Sequence, residues 1–201
     1  MSTPLATALP YGLRDIKLTP YSDASGSVLG STVVDLPNSR TLSFSETEEF
    51  EELRGDDRVV TTRGKGAVVE WELEAGGLNL DAWKAMSGGT IIDSGTTPNK
   101  KRVYRKAGRQ NRPWFLIQGQ VISDSGGDVH AILYRCRATD SLEGEFSDGE
   151  FFLTSGSGQA LPLLEDGVDD DILYDIVQNE TAVPLSTTAL TLPDPEANDT
   201  P

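Results

Sequence analysis

"GAVVEWELEAGG", residues 66–77, alternates with a period of two. Ala67, Val69, Trp71, Leu73 and Ala75 share one side, while Glu70, Glu72 and Glu74 share the other with Val68. An antiparallel strand with one face on a core and one in water needs this pattern. Its neighbours extend the same theme. "RTLSFSE" puts Leu42 and Phe44 on one face, and "PWFLIQGQVIS" and "DVHAILYRCRAT" read as long strands around the Gly-rich turn "DSGGD". "GEFFLTSG" follows the turn signal "SDGE" as another strand, and "RDIKLTPY", "STVVDL", "DRVVTT" and "KRVYRKA" are shorter candidates. Twenty Gly and eleven Pro supply the turns such a chain requires.

One helix interrupts the strands. In "GGLNLDAWKAMSGG", Asn79 can cap, Asp81 sits in the first turn, and Gly88 or Gly89 supplies the stop. Leu80, Trp83 and Met86, or Leu80 and Lys84, share faces. A single short helix among eight or so strands predicts a mainly β protein, a sandwich or barrel with one flanking helix. The expected division is a β domain over residues 1–165 and an acidic extension over 166–201, in which "ILYDIVQ" can add a strand to a neighbour.

Charge is distributed unevenly. "SETEEFEELRGDD", residues 45–57, holds seven carboxylates and one arginine, whereas "KKRVYRKAGRQNR", residues 100–112, holds seven Lys/Arg and no acid. Through Arg137 there are 17 acids and 17 bases; beyond it lie 15 acids and no Lys or Arg, so the net charge of −15 resides in the last 64 residues. A surface of that sign repels nucleic-acid phosphates at long range. The N-terminus has neither a basic region nor a long apolar run, so a signal peptide is not expected. No apolar run reaches the ~18 residues of a membrane span. Cys136 is the only cysteine, which excludes an internal disulfide and fits a reducing cytoplasm.

The chemical motifs are few. "IIDSGTT", residues 91–97, looks like the nucleophile turn of an aspartic protease, and a second Asp-Ser-Gly begins at Asp124. The two lie only 31 residues apart, too close for two lobes of one enzyme, which leaves a homodimeric enzyme using Asp93 as the catalytic alternative. Asp-Ser-Gly between strands is otherwise ordinary turn chemistry. His130 and Cys136 are single examples of their types, and zinc needs more ligands. They share a parity with Ile132 and Tyr134, which predicts a packed strand face. No cofactor or metal is expected.

The order of these motifs resembles the major tail tube proteins of long-tailed bacteriophages, especially those infecting actinobacteria. A strand ("RTLSFSE"), an acidic loop ("TEEFEELRGDDRVVTTRGKG"), an alternating strand ("AVVEWELEAGG") and a Trp-bearing helix ("LNLDAWKAMSGG") follow one another. "YGLRDIKLTPY" and "GEFFLTSGSG" look similar too, and the resemblance covers about residues 10–160. It implies a structural virion protein, made in the host cytoplasm. Six protomers would form a ring, and rings would stack into a hollow tube around a tape-measure protein. Tail terminator and tail-tip proteins would be its other partners, and double-stranded DNA would pass through the bore without specific binding. It also implies that the long loop, about residues 46–66, reaches the adjacent ring. Glu46, Glu48, Glu49, Glu51, Glu52, Asp56 and Asp57 are then candidates for an inter-ring interface, with Lys100, Lys101, Arg102, Arg105 and Lys106 of another subunit opposite. Glu70, Glu72, Glu74, Glu143 and Glu145 are candidates for the bore wall. A tail terminator or head decoration protein is the remaining β-rich virion alternative.

Overall fold

The computed structural model describes residues 5–55, 58–164 and 171–192. Among them the chain is mainly β: β1 (Pro10–Pro20), β2 (Val34–Asp35), β3 (Ser39–Gly55), β4 (Arg58–Gly76), α1 (Leu80–Ser87), β5 (Thr90–Ser94), β6 (Lys101–Arg105), β7 (Phe115–Ser123), β8 (Asp128–Ala138), β9 (Leu153–Leu161) and β10 (Tyr174–Asn179). Eight strands form one antiparallel sheet in the order β2-β1-β7-β8-β9-β4-β3, with β10 also on β8, and β5 and β6 form a separate hairpin. The sheet curls until distant strands face each other. A Cβ built on Gly119 of β7 would stand 2.3 Å from Leu42 Cδ2 of β3, and Trp71 of β4 meets Phe115 of β7 edge-on at 5.5 Å.

The alternating stretch behaves as its period requires. Val69, Trp71, Leu73 and Ala75 are buried, Glu70 and Glu72 are exposed, and Glu74 is half-buried. The inward set joins Ile16, Leu18, Phe115 and Ile117 in the main core. α1 covers this core with Ala82, Ala85 and Met86. Of Leu80, Trp83 and Met86 only Met86 is fully buried, and the small Ala82 and Ala85 let the helix sit close. Met86 Sδ would lie 2.7 Å from a Cβ on Gly156 of β9. The cap is as expected: Asn79 accepts from the Asp81 and Ala82 amides, and the Gly88 amide donates to Lys84 O at 2.8 Å.

β7 is buried almost throughout because both its faces are covered. Behind it lies a second apolar cluster, Tyr21, Trp114, Leu116, Ile132, Tyr134 and Leu163, closed over by Ile172, Val177, Leu190 and Leu192. The described part of 166–201 thus packs on its own chain. β10 pairs with the first half of β8, from Tyr174↔Leu133 to Asn179↔Asp128, while β9 takes the second half. The strand expected to join a neighbour completes this chain's own sheet.

Two further expectations change. β8 carries a register shift against β7 between the pairs Phe115↔Cys136 and Ile117↔Leu133. The extra residue flips the parity, so Cys136 enters the main core while Ile132 and Tyr134 face the second cluster. The strand expected in "GEFFLTSG" begins only at Leu153 and runs through the Gly/Ser stretch, leaving Phe151 94% exposed.

Candidate functional site: the assembly surfaces

The acidic segment is not a loop. β3 and β4 stay paired from the core out to Gly55↔Arg58, so residues 46–55 and 58–66 form a two-stranded ribbon. Its side chains are largely exposed, including Phe50 (64%), Leu53 (61%) and Val60 (60%). Nor is the ribbon uniformly acidic. Glu51 of β3 pairs across with Arg63 of β4, Lys65 Nζ lies 3.8 Å from Glu51, and Arg54 holds Glu52 at 2.7 Å. The β4 strand of the ribbon brings Arg58, Arg63 and Lys65, and these answer part of the acidic strand inside the same molecule. At the ribbon's foot the Tyr174 hydroxyl donates to Glu46 at 2.8 Å, tying the C-terminal segment to β3. Glu48 lies over Gly64, where any Cβ would collide with its carboxylate. Glu49 is exposed, and Asp56 and Asp57 lie outside the described residues.

The basic segment also divides. Register pairs Asp93 with Arg102, Ile92 with Val103 and Ser94 with Lys101, so alternate residues of β6 face opposite ways. Arg102 faces α1 and binds Asp81 through two hydrogen bonds, 2.7 and 2.9 Å long, with Asp93 at 3.2 Å. Tyr104 donates to Gly88 O at 2.7 Å on the same side. Lys106 donates to Ser87 O and Gln110 O, closing the C-terminal end of the helix. Desolvation and the nearby Arg112 shift its ammonium downward from the ordinary lysine value. Arg102 and Lys106 therefore serve the fold. Lys100, Lys101 and Arg105 are exposed and make no ion pair among the described residues.

The candidates for the bore wall converge from separate segments. Glu70 and Glu72 stand on the outer face of β4 and line a groove with Asp140 and Ser157. Glu74 lines a neighbouring cleft with Glu143, Glu145 and Glu150. Arg40 approaches Glu74 at 3.1 Å. The sequence spacing gave no reason to join 70–74 with 143–150; pairing of β4 with β9 does so.

Asp93 stands on an exposed hairpin with its side chain 69% accessible. Its carboxylate pairs with Arg102 Nε at 3.2 Å, whereas a protease dyad requires two carboxyls that share a proton. Among the described residues no group of three or more His, Cys, Asp or Glu is placed to hold a metal ion. His130 is instead part of a buried polar cluster with Asp128, which single-residue motifs could not reveal.

The sequence matches no protein-family model and no curated protein.

Proposed function

We propose that the chain is a structural, non-catalytic subunit of a bacteriophage tail tube. Copies form rings, hexameric on the resemblance, that stack around a tape-measure protein and leave a conduit for DNA. The observation that carries this reading is the β3–β4 ribbon. It occupies the place in the motif order where the resemblance puts the element that reaches the next ring, and it holds Phe50, Leu53, Val59 and Val60 in water. They stand on both faces of the ribbon, since Phe50 and Leu53, and Val59 and Val60, differ in strand parity, so a neighbour that clasps the ribbon from both sides is what would cover them all. Within a stack, they would be covered, with the flanking charges setting register.

The outer face of β4 supports the same reading. Glu70, Glu72 and Glu74, with Glu143 and Glu145 beside them, make a surface that gives phosphates no hold. Facing the bore, it would let DNA slide. The tail terminator and the tail-tip proteins would then meet the two ends of the stack.

Electron microscopy of the purified protein, concentrated at low and then moderate salt, tests the proposal. Hollow tubes of uniform diameter are the expected result. Single rings that never stack would overturn it in favour of a terminator-like role.

A further inference from the structure

Phe146 and Phe151 are 84% and 94% exposed. Phe146 belongs to a connected aromatic group, 5.0 Å from Phe152, which lies 6.4 Å from Trp83; Phe151, the residue before Phe152, stands apart from that group in an acidic cleft. Glu143, Glu145 and Glu150 line, together with Phe151, the cleft they share with Glu74. Phe151 is therefore an exposed ring among carboxylates, outside both core clusters.

The opposite combination occurs on the β5–β6 hairpin. Because Arg102 and Tyr104 turn towards α1, the other face carries Lys101, Val103 and Arg105 across from Ser94, Ile92 and Thr90. Ile92 and Val103 are 39% and 42% exposed, and the two cations flanking Val103 have no carboxylate partner among the described residues. This is an apolar strip with a basic rim. We propose that the two surfaces form one contact between two copies of this chain. The strip of one copy lies on Phe151 of the next, and Lys101 and Arg105 meet Glu143, Glu145 and Glu150. The contact is heterologous, using a different patch on each copy, so it propagates from subunit to subunit. Burial of the aromatic ring supplies the attraction, and the charged rims fix orientation. The inference rests on the assembly reading above and deepens it: the 143–150 segment replaces the acidic ribbon as the partner of the basic hairpin, and Glu143 and Glu145 move from the bore wall into this contact, leaving Glu70 and Glu72 in their separate groove as the wall.

Mixed disulfide formation tests it. Val103→Cys and Phe151→Cys chains are prepared separately, mixed in equal amounts and oxidised; Cys136 is buried and does not compete. A covalent dimer containing one chain of each kind is expected, in excess over either variant oxidised alone. Adding Lys101→Glu and Arg105→Glu to the first chain should cut its yield about tenfold or more, because like charges then face each other. Adding Glu143→Lys and Glu145→Lys to the second chain should restore it. Absence of the mixed dimer, or a yield indifferent to these reversals, overturns the contact. Tubes that form normally without the cross-link would leave the tail-tube reading standing while removing this contact. Cross-linked species that never build tubes would do the reverse.

Discussion

Asp128 is the most demanding residue in the chain, a carboxylate with no solvent exposure. Its oxygens accept from Gln120, from Asn179 Nδ2 at 2.9 Å and from the Val183 amide at 3.0 Å, and His130 Nε2 lies 3.1 Å away. Burial alone would raise its pKa, but the hydrogen bonds from Gln120 and Asn179 and the adjacent His130 outweigh it and hold it below the ordinary value. A carboxyl depressed by folding contributes stability above its unfolded pKa, near ~3.9, and loses it as pH falls through the folded value. Asp128→Asn should therefore cost about 2–4 kcal/mol at neutral pH. The variant's stability should also fall less steeply on the acid side, as urea denaturation across a pH series would show. Gly127, next to it, has φ +68 and would place a Cβ 1.9 Å from Asn179 O, so Gly127→Ala should loosen the same junction. The turn itself was legible in "DSGGD"; the cluster was not, since its members come from four separated segments.

At the scale of elements, what decides legibility is whether a residue's partner lies within one strand's reach. Period two placed β4's buried face correctly, and capping chemistry placed α1. In the ribbon only "DRVVTT" reads as a strand; its β3 partner does not, because carboxylates fall on both faces of residues 46–52, so alternation vanishes although pairing continues. Similarly, β9 was displaced because its inward residues, Thr154, Gly156, Gly158 and Ala160, are small rather than apolar and bulky. The ribbon's independence from the core gives a clear expectation. Phe50→Ser with Leu53→Ser removes two exposed apolar groups and touches neither cluster, so thermal stability should stay within about 1 kcal/mol of the parent. Assembly, followed by sedimentation and electron microscopy, should be lost. Reversing Glu48, Glu49, Glu51 and Glu52 to Lys is the less specific test, because it also sets like charges against Arg63 and Lys65 within the ribbon. Unchanged assembly of the Phe50/Leu53 variant would remove the ribbon from the interface.

For the whole molecule, the main consequence is that acidity and fold are separable. Composition set residues 166–201 apart because they hold many acids and no Lys or Arg, yet 171–192 supply the cover of the second cluster and the tenth strand. Apolar residues spaced irregularly among acids, such as Ile172, Val177, Leu185, Leu190 and Leu192, give no periodic signal, although the sheet behind them needs each one. Their attachment is also specific, through Tyr174 to Glu46, Tyr134 to Asp175 and the Asp128 cluster to Val183. A chain cut after residue 164 would strip the C-terminal cover from Leu116, Ile132 and Tyr134 and open the edge of β8 that β10 pairs over Asp128–Leu133. An open edge beside an uncovered apolar face is a template for aggregation. Such a truncation should therefore bind a hydrophobic dye and precipitate, as fluorescence titration and light scattering would show. If the shorter chain instead remained soluble and cooperative, the segment would be an appendage, and the sheet would be complete without it.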